Sequence, residues 1–177
     1  ATIDKYDLHN VVIDPVMVCK GCDLILVPDA AESIKKLLMP RCDIITPNTV
    51  EAAYLADMPE VTTVEQIKEA AEKIVAAGAK SVVIKGGERL RDNSAIDIFY
   101  DGKEFTEMAV PKIYPSYNHG AGCTFSAAIT AGLANGLSMK EAVLQAKKFV
   151  TAALKHGFAN NNIVGCTNHT AYRKYGE

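Results

Sequence analysis

The sequence has 177 residues, of which 49% are hydrophobic and 23% are charged, a composition that excludes disorder and supports one buried core. Lys and Arg number 19 against 21 Asp and Glu, and the net charge of −2 argues against a broad basic face for nucleic acid. No apolar run reaches the ~20 residues that cross a bilayer, and the 5 cysteines are not spaced like a secreted disulfide scaffold, so a cytoplasmic protein with reduced thiols is expected.

Apolar runs alternate with helical patterns through the first half of the chain. Buried strands are predicted where short, continuous apolar segments occur, at residues 11–18, 43–46 and 81–84. Helices are predicted from Asp29 to Leu38, from Asn48 to Leu55, and from a capping box at Thr62 and Thr63 to a stop at Gly78. Strand, helix and strand in this order are typical of an α/β protein with a parallel sheet.

The second half adds a hairpin and two helices. Asp101-Gly102 separates two strand-like segments at residues 96–100 and 104–110, which predicts an antiparallel hairpin. The helices are expected at about residues 121–135 and 138–157. Residues 160–177 are polar and give no prediction. The expected fold is one α/β domain over residues 1–177, with a mostly parallel sheet flanked by helices and a small antiparallel hairpin.

The segment from Tyr117 to Ala128 contains the most informative motif. Gly120 and Gly122 stand at a predicted strand-to-helix junction, where glycine lets the backbone approach a ligand closely. Free amide groups and the helix dipole make such a helix start a site for anions, and a phosphate group fits it. Cys123 lies in the first turn, where the same field stabilises a thiolate that accepts a proton from a hydroxyl. This pattern favours phosphoryl transfer to an alcohol, and a glycine-rich helix start with a small buried cysteine is the structural alternative.

Further polar residues follow the predicted strands, where open α/β sheets bind ligands. Asp14 and Glu51 could hold Mg²⁺ directly or through water, and Lys85 is placed to neutralise phosphate charge. Each also has an ordinary interpretation, as a helix cap, a loop acid or a surface lysine at a turn. No Gly-Lys-Ser/Thr of a Walker P-loop follows the glycines of the Tyr117–Ala128 segment, and Phe125 replaces the third small residue of a dinucleotide fingerprint. Both of these nucleotide-binding classes are excluded.

Two other classes stay open from the residues alone. Cys19-x-x-Cys22 and Cys166-x-x-His169 have the local spacing of zinc ligand pairs, although they lie far apart in the sequence. A non-catalytic binding or scaffold role is the other alternative. Zinc in the purified protein would support the first, and stable association with a partner without ATP binding would support the second.

Five motifs occur together in an order that resembles one known family. They are Asp14-Pro15-Val16-Met17-Val18-Cys19-Lys20-Gly21, Thr46-Pro47-Asn48-x-x-Glu51, Val83-Ile84-Lys85-Gly86-Gly87, residues 97–102, and Asn118-His119-Gly120-Ala121-Gly122-Cys123-Thr124. The family comprises the hydroxymethylpyrimidine(-phosphate) kinases of thiamin synthesis and the Bacillus-type pyridoxal kinases, within the ribokinase-like superfamily. The similarity extends from about Val11 to Cys166. Cys19-Lys20-Gly21 and the segment from Tyr117 to Phe125 favour the pyridoxal kinase branch.

The resemblance implies a ribokinase-like enzyme that transfers the γ-phosphoryl group of MgATP to a hydroxymethyl group on a small heteroaromatic ring. Pyridoxal, pyridoxine or pyridoxamine is the implied acceptor, and hydroxymethylpyrimidine or its phosphate is the alternative. The implied site residues are Gly120, Ala121 and Gly122 as the anion hole, Cys123 as the base where most of the superfamily has Asp, Asn48, Glu51, Lys85 and Asp97 on the ATP side, and Asp14 with Glu51 near Mg²⁺.

The N-terminal part of the family's fold has no counterpart in the sequence. The family usually begins with a strand and a glycine-rich segment that supplies much of the substrate pocket and the lid. We therefore expect residues 1–177 to correspond to the C-terminal two-thirds of a kinase domain. A homodimer is the expected assembly, with small molecules rather than nucleic acid or a membrane as partners.

Overall fold

The computed structural model describes residues 2–18, 25, 27–87, 89–90, 93–160 and 164–176. The chain groups into two compact units, Ala1–Ala109 and Val110–Glu177. Each unit has its own secondary structure and its own packed interior, and each is described by itself below.

The elements of the chain follow the predicted alternation of strands and helices. The helices before the hairpin are α1 (Thr2–Lys5), α2 (Pro28–Ser33), α3 (Thr49–Leu55) and α4 (Val64–Ala76). The strands of the main sheet are β1 (Val12–Ile13), β2 (Ile44–Ile45), β3 (Val82–Lys85), β4 (Ser94–Tyr100) and β5 (Phe105–Pro111). The second unit contains α5 (Ala121–Ala134), α6 (Met139–Lys155), β6 (Phe158–Asn160), β7 (Val164–Cys166) and α7 (Ala171–Tyr175).

The main sheet has the order β1-β2-β3-β4-β5. Strands β1 and β2 are parallel, as are β2 and β3, whereas β4 runs antiparallel to β3. The α/β class, the parallel strands with flanking helices, and the hairpin around Asp101-Gly102 are therefore confirmed. The parallel strands all end at the same edge, so the residues that follow them are brought together.

Strand β1 is much shorter than the predicted strand over residues 11–18. Pairing stops after Ile13, because Pro15 has no amide to donate and Val16 turns the chain with a positive φ of 43°. The apolar character of the segment is explained by burial instead, since Met17 and Val18 are buried without belonging to a named strand.

Local capping signals were accurate for three helices. Asn48, Thr63 and Ser138 each form a capping box with the side chain three residues later, and Gly78 follows α4 with a φ of 124°. The predicted Asp29 cap is wrong: Val27 is the N-cap of α2, and Pro28 occupies the first helical position, where its fixed φ suits the helix and its missing amide needs no acceptor. The helix then continues through a π-helical turn and a 3₁₀ turn to Arg41.

The core of the first unit lies between its sheet and its helices. Most of its fully buried large side chains come from the parallel strands, from α4 and from β4: Ile44, Ile45, Ile67, Ile74, Val82, Val83, Ile84, Ile98 and Phe99. Leu55 of α3 and Met39 of the 3₁₀ turn are also fully buried. Strands buried in this way have continuous apolar sequences, which is the pattern found at residues 82–84.

Helices α5 and α6 pack against each other in the second unit. Gly132 makes this approach close, since a Cβ at that position would lie 3.0 Å from the Cβ of Ala142. The antiparallel hairpin of β6 and β7 and the short helix α7 complete this unit, with the Phe149 and Tyr172 rings 5.7 Å apart. Helices α5 and α6 were predicted from the sequence, but β6, β7 and α7 were not.

Asp43 joins the starts of the three parallel strands. Its carboxylate accepts a hydrogen bond from the Val11 amide at 2.7 Å and another from Lys80 Nζ at 2.7 Å, and its carbonyl accepts from Ser81 Oγ at 2.7 Å. Burial raises the pKa of Asp43, but the hydrogen bonds from Lys80 and Val11 outweigh burial and lower the pKa overall.

We expect Asp43→Asn to reduce the free energy of unfolding at neutral pH by about 1–2 kcal/mol, the usual value of a hydrogen bond to a charged group. Because the folded-state pKa is lowered, the stabilisation is complete above the unfolded value of about 3.9 and is lost as the pH falls through the folded value. Urea unfolding of both proteins between pH 2 and pH 7 measures this difference. Glu60→Gln, at an exposed loop carboxylate, is the matched control, and an equal loss in both variants would contradict the role of Asp43.

Candidate functional site

A polar cluster lies at the ends of the parallel strands in the first unit. Asp14 follows β1, Thr46 follows β2 and Lys85 ends β3. Lys85 Nζ donates to Asp14 Oδ1 at 3.1 Å, and Thr46 Oγ1 donates to the same oxygen at 3.3 Å. The Lys85 and Asp14 side chains are only 17% and 18% exposed, so the ion pair is shielded from solvent and ordered by its neighbours.

Glu51 holds the start of α3 against the segment after β1. The residue is buried, and its Oε1 accepts from the Met17 amide at 3.0 Å while its Oε2 accepts from the Asn48 amide at 2.8 Å. Asn48 Oδ1 in turn accepts from the amides of Val50 and Glu51. The two side chains thus fix the backbone around the strand ends. The backbone of Asn48 also forms an isolated parallel β-bridge with Lys85.

Asp97 lies beside Lys85 in the sheet. The two residues are register partners on β4 and β3, and Asp97 Oδ1 accepts from the Gly87 amide at 3.4 Å. Glycine is required at position 86, because a Cβ there would collide with the carbonyl oxygen of Ile96. The Gly86-Gly87 turn therefore packs directly against β4. Asp97 is buried there, with 7% of its surface exposed.

Asp14 and Glu51 could contribute to binding a hydrated Mg²⁺ ion, with Glu51 acting through water because both of its oxygens accept from backbone amides. Across the described ranges, no group of three or more His, Cys, Asp or Glu side chains is placed to hold a metal. Mg²⁺ keeps several waters and is usually bound by one or two carboxylates together with substrate phosphates, which is what these two acids could provide. Of the suggested zinc ligands, Cys19 and Cys22 lie outside the described residues.

The glycine-rich motif of the second unit forms the start of α5. Gly120 is the N-cap with a φ of 84°, a conformation that favours glycine, and it provides no side-chain cap. The Ala121 amide donates to the Asn118 carbonyl at 3.2 Å. The amides of Gly122 and Cys123 have no acceptor among the described residues, and the Cys123 thiol is free and exposed beside them. Open amides at a helix N-terminus could bind an anion. The neighbouring thiol, in its thiolate form, could accept a proton.

The loop before α5 is held from two sides. The His119 amide donates a hydrogen bond to the Gly165 carbonyl at 3.0 Å, and the His119 carbonyl accepts one from the Thr167 amide at 3.2 Å. The loop is therefore paired to the segment around β7. The Thr124 hydroxyl donates to the Gly120 carbonyl at 2.8 Å from inside α5. The carbonyls of His119 and Gly120, which precede the helix, are therefore fixed in direction.

A cleft of about 830 Å³ starts at this loop and follows α5. Small residues of the helix line it, including Ala127, Ala128 and Ala131, together with the rings of Phe149 and Tyr172. Its size is within the range of pockets for small organic ligands. Within the described ranges, no helix combines the length and apolar character that crossing a membrane requires.

The structure brings the predicted site residues together as two groups, one in each unit. The first unit contains Asp14, Asn48, Glu51, Lys85 and Asp97, and the second contains Gly120, Ala121, Gly122 and Cys123. Sequence reasoning missed the hydroxyl groups that support both groups, at Thr46, Thr124 and Thr167. Thr46 and Thr124 lay inside recognised motifs and could have been considered, whereas no local pattern marked Thr167.

Comparisons with known proteins identify the family of the chain. The phosphomethylpyrimidine kinase family model matches residues 1–168. The chain is similar to the pyridoxine kinase of Bacillus subtilis (strain 168), with 49% identity over 172 residues that cover 97% of this chain and 64% of that protein. It is also similar to the hydroxymethylpyrimidine/phosphomethylpyrimidine kinase of the same organism, with 39% identity and coverage of 97% and 63%.

Solved structures of pyridoxal kinases have the same fold. The ADP complex of the Bacillus subtilis enzyme has a TM-score of 0.92 at 49% identity, and the match covers 98% of this chain and 65% of that one. Staphylococcus aureus pyridoxal kinase in complex with pyridoxal has a TM-score of 0.86 at 44% identity, with coverage of 93% and 59%. The chain thus spans 64% of the length of the Bacillus subtilis pyridoxine kinase. The resemblance inferred from the five motifs is confirmed, and the chain belongs to the phosphomethylpyrimidine kinase family.

Proposed function

We propose that the chain carries the phosphoryl-transfer machinery of an ATP-dependent kinase that phosphorylates the hydroxymethyl group of pyridoxal, pyridoxine or pyridoxamine. The observation that supports this proposal best is the start of α5, where two open amides stand beside the exposed Cys123 thiol. The similarity to kinases whose structures contain ADP or pyridoxal supports the choice of substrates. The proposed protein is a cytoplasmic homodimer.

The proposed anion hole is the backbone turn of Gly120, Ala121 and Gly122, and its open donors are the amides of Gly122 and Cys123, because the Ala121 amide already donates to the Asn118 carbonyl. In the transition state of phosphoryl transfer, negative charge spreads over the equatorial oxygens of the transferred group. The amides of Gly122 and Cys123 are preorganised donors for those oxygens, and the positive end of α5 adds to their effect. Because the loop is fixed by its hydrogen bonds, little reorganisation is needed when the charge develops.

Cys123 is the base in this proposal. Its thiolate accepts the proton of the substrate hydroxyl as the hydroxyl oxygen bonds to the γ-phosphorus and the bond to the departing ADP oxygen breaks. The thiol is free and exposed in the first turn of α5, beside the amides that would bind the transferred group. General-base assistance of this kind is added to the larger effects of positioning and charge neutralisation.

The first unit supplies the charges for the triphosphate. Lys85 neutralises phosphate oxygens, and Asn48 and Asp97 order the surrounding backbone. Asp14 and Glu51 would hold Mg²⁺, which would supply positive charge to neutralise part of the phosphate charge. Glu51 has both oxygens on backbone amides, so it would act through a metal-bound water.

Hydroxymethylpyrimidine and its phosphate are the second candidate substrates. The family model and the 39% identical Bacillus subtilis relative support this alternative, and the chemistry at Cys123 would be the same. A competition assay with pyridoxal and hydroxymethylpyrimidine at equal concentration separates the two. We expect a higher kcat/KM for pyridoxal, and a preference for the pyrimidine would assign the protein to thiamin synthesis.

Replacement of Cys123 by Ala should lower kcat by roughly 10²–10⁴-fold, the usual contribution of a general base. The dissociation constant of ATP should change little, because the backbone amides are retained. Steady-state kinetics and calorimetry measure the two quantities. Thr130→Ala, on the same helix but away from its start, is the control and should retain normal turnover. Unchanged turnover in Cys123→Ala would exclude the thiol as the base.

Replacement of Lys85 by Met should lower kcat/KM for MgATP by roughly 10–100-fold, since one cation facing the phosphates is lost in a shielded position. The change also leaves Asp14 without its cation, so electrostatic repulsion of ATP is added to the loss. Lys103→Met, in the exposed turn between β4 and β5, should have no such effect. Equal kinetics in the two variants would remove Lys85 from the ATP site.

A further inference from the structure

We infer that His169 is a positioning residue for the anion hole and acts by donating a hydrogen bond to Thr124. The inference rests on the proposed function, because it concerns the loop that would stabilise the transferred phosphoryl group. His169 lies in the C-terminal segment after β7, where the sequence pattern indicates only a zinc ligand. Its Nε2 is 2.9 Å from Thr124 Oγ1 and 3.4 Å from Thr167 Oγ1.

The direction of these hydrogen bonds follows from the partners of the two hydroxyls. Thr124 Oγ1 lies 2.8 Å from the Gly120 carbonyl oxygen, and a carbonyl has no hydrogen to donate, so the hydroxyl must donate there. Thr167 Oγ1 stands in the same relation to the His119 carbonyl at 3.3 Å. A hydroxyl has one hydrogen, and both are used on the loop. His169 Nε2 must therefore be the donor to Thr124.

The two threonines hold the carbonyls that set the geometry of the loop. Thr124 and Thr167 are almost fully buried, with 8% and 7% exposure, and so their hydroxyl groups have little access to solvent. The Gly120 carbonyl accepts from both the amide and the hydroxyl of Thr124, at 2.9 Å and 2.8 Å. Because a peptide group is planar, fixing this carbonyl also fixes the Ala121 amide and the backbone that leads to the open amides.

His169 completes this arrangement from outside the helix. Its donation to Thr124 Oγ1 keeps the hydroxyl rotated so that its hydrogen points to the Gly120 carbonyl. A charged or neutral imidazole with hydrogen on Nε2 serves equally, so the role does not require titration of His169. Loss of the donor would free the hydroxyl to rotate and would loosen the loop without removing an amide or the thiol.

The kinetic test compares His169→Ala with His169→Gln, whose side-chain amide retains a donor. We expect kcat to fall roughly tenfold in His169→Ala, the effect of one hydrogen bond on the barrier, with KM for both substrates changed by less than about twofold. His169→Gln should recover most of the lost turnover. Thr124→Val should lower kcat at least as much as His169→Ala, because it also removes the hydrogen bond to the Gly120 carbonyl. The double variant should be no slower than Thr124→Val alone, since His169 acts only through the Thr124 hydroxyl.

A second measurement does not depend on kinase activity. Cys123 is exposed, and the open amides beside it should favour anionic iodoacetate over neutral iodoacetamide. Mass spectrometry of the Cys123 peptide gives the ratio of the two alkylation rates. In His169→Ala this ratio should fall toward that of a free thiol, and in His169→Gln it should stay near the parent value. His156→Ala, which removes a ring stacked 3.9 Å from Tyr175 in the same unit, controls for general loosening and should retain the ratio.

The outcomes separate the two proposals. A parent protein without kinase activity but with the expected alkylation ratios would overturn the proposed function and support the role of His169. A parent kinase whose His169→Ala variant keeps both turnover and alkylation ratio would overturn the role of His169 alone. Additive losses in the double variant, or equal losses in His156→Ala, would likewise contradict positioning through Thr124.

Discussion

The first backbone amides of an α-helix have no acceptor inside the helix, and this chain meets that constraint in two ways. Helices α3, α4 and α6 begin with capping boxes in which a side chain accepts from the backbone. Helix α5 begins at Gly120 without a side-chain cap, although removing a cap typically destabilises a helix by about 1 kcal/mol. Such a start is satisfied when a ligand supplies the acceptors, and phosphate oxygens are well suited to that task. The proposed chemistry depends on those open amides.

Backbone amides also need acceptors in the first unit, and there a side chain of the protein, rather than a ligand, supplies them. There the carboxylate of Glu51 serves the protein backbone, because its two oxygens accept from Met17 and Asn48. A buried carboxylate needs such partners, and in meeting that need it ties the segment after β1 to the start of α3. Lys85 and Asp14 balance each other's charge at the neighbouring strand ends. The acidic groups are therefore held in fixed positions by the protein's own backbone and side chains.

Those features that depend on neighbouring residues were predictable from sequence. Asn48 with Glu51, Thr63 with Gln66 and Ser138 with Glu141 each act within four residues, and all three helix starts are confirmed. Features set by distant contacts were not predictable. The end of β1 depends on the turn at Val16, and the pairing of His119 with Cys166 joins residues far apart in the sequence. The contribution of Thr167 and His169 follows from that pairing, so no local pattern could show it.

Position 123 lies at the same helix start, in the first turn after the Gly120 cap. The resemblance implies Asp here for most of the superfamily, and a carboxylate or a thiolate base alike carries its negative charge before it accepts the hydroxyl proton. The proposed base therefore stands in the same positive field of α5 that attracts the phosphoryl oxygens. In the proposed function, the base and the anion hole thus depend on one feature, the geometry of the loop at Gly120. For this reason a residue that only holds the loop, such as His169, affects turnover without contacting the reacting atoms.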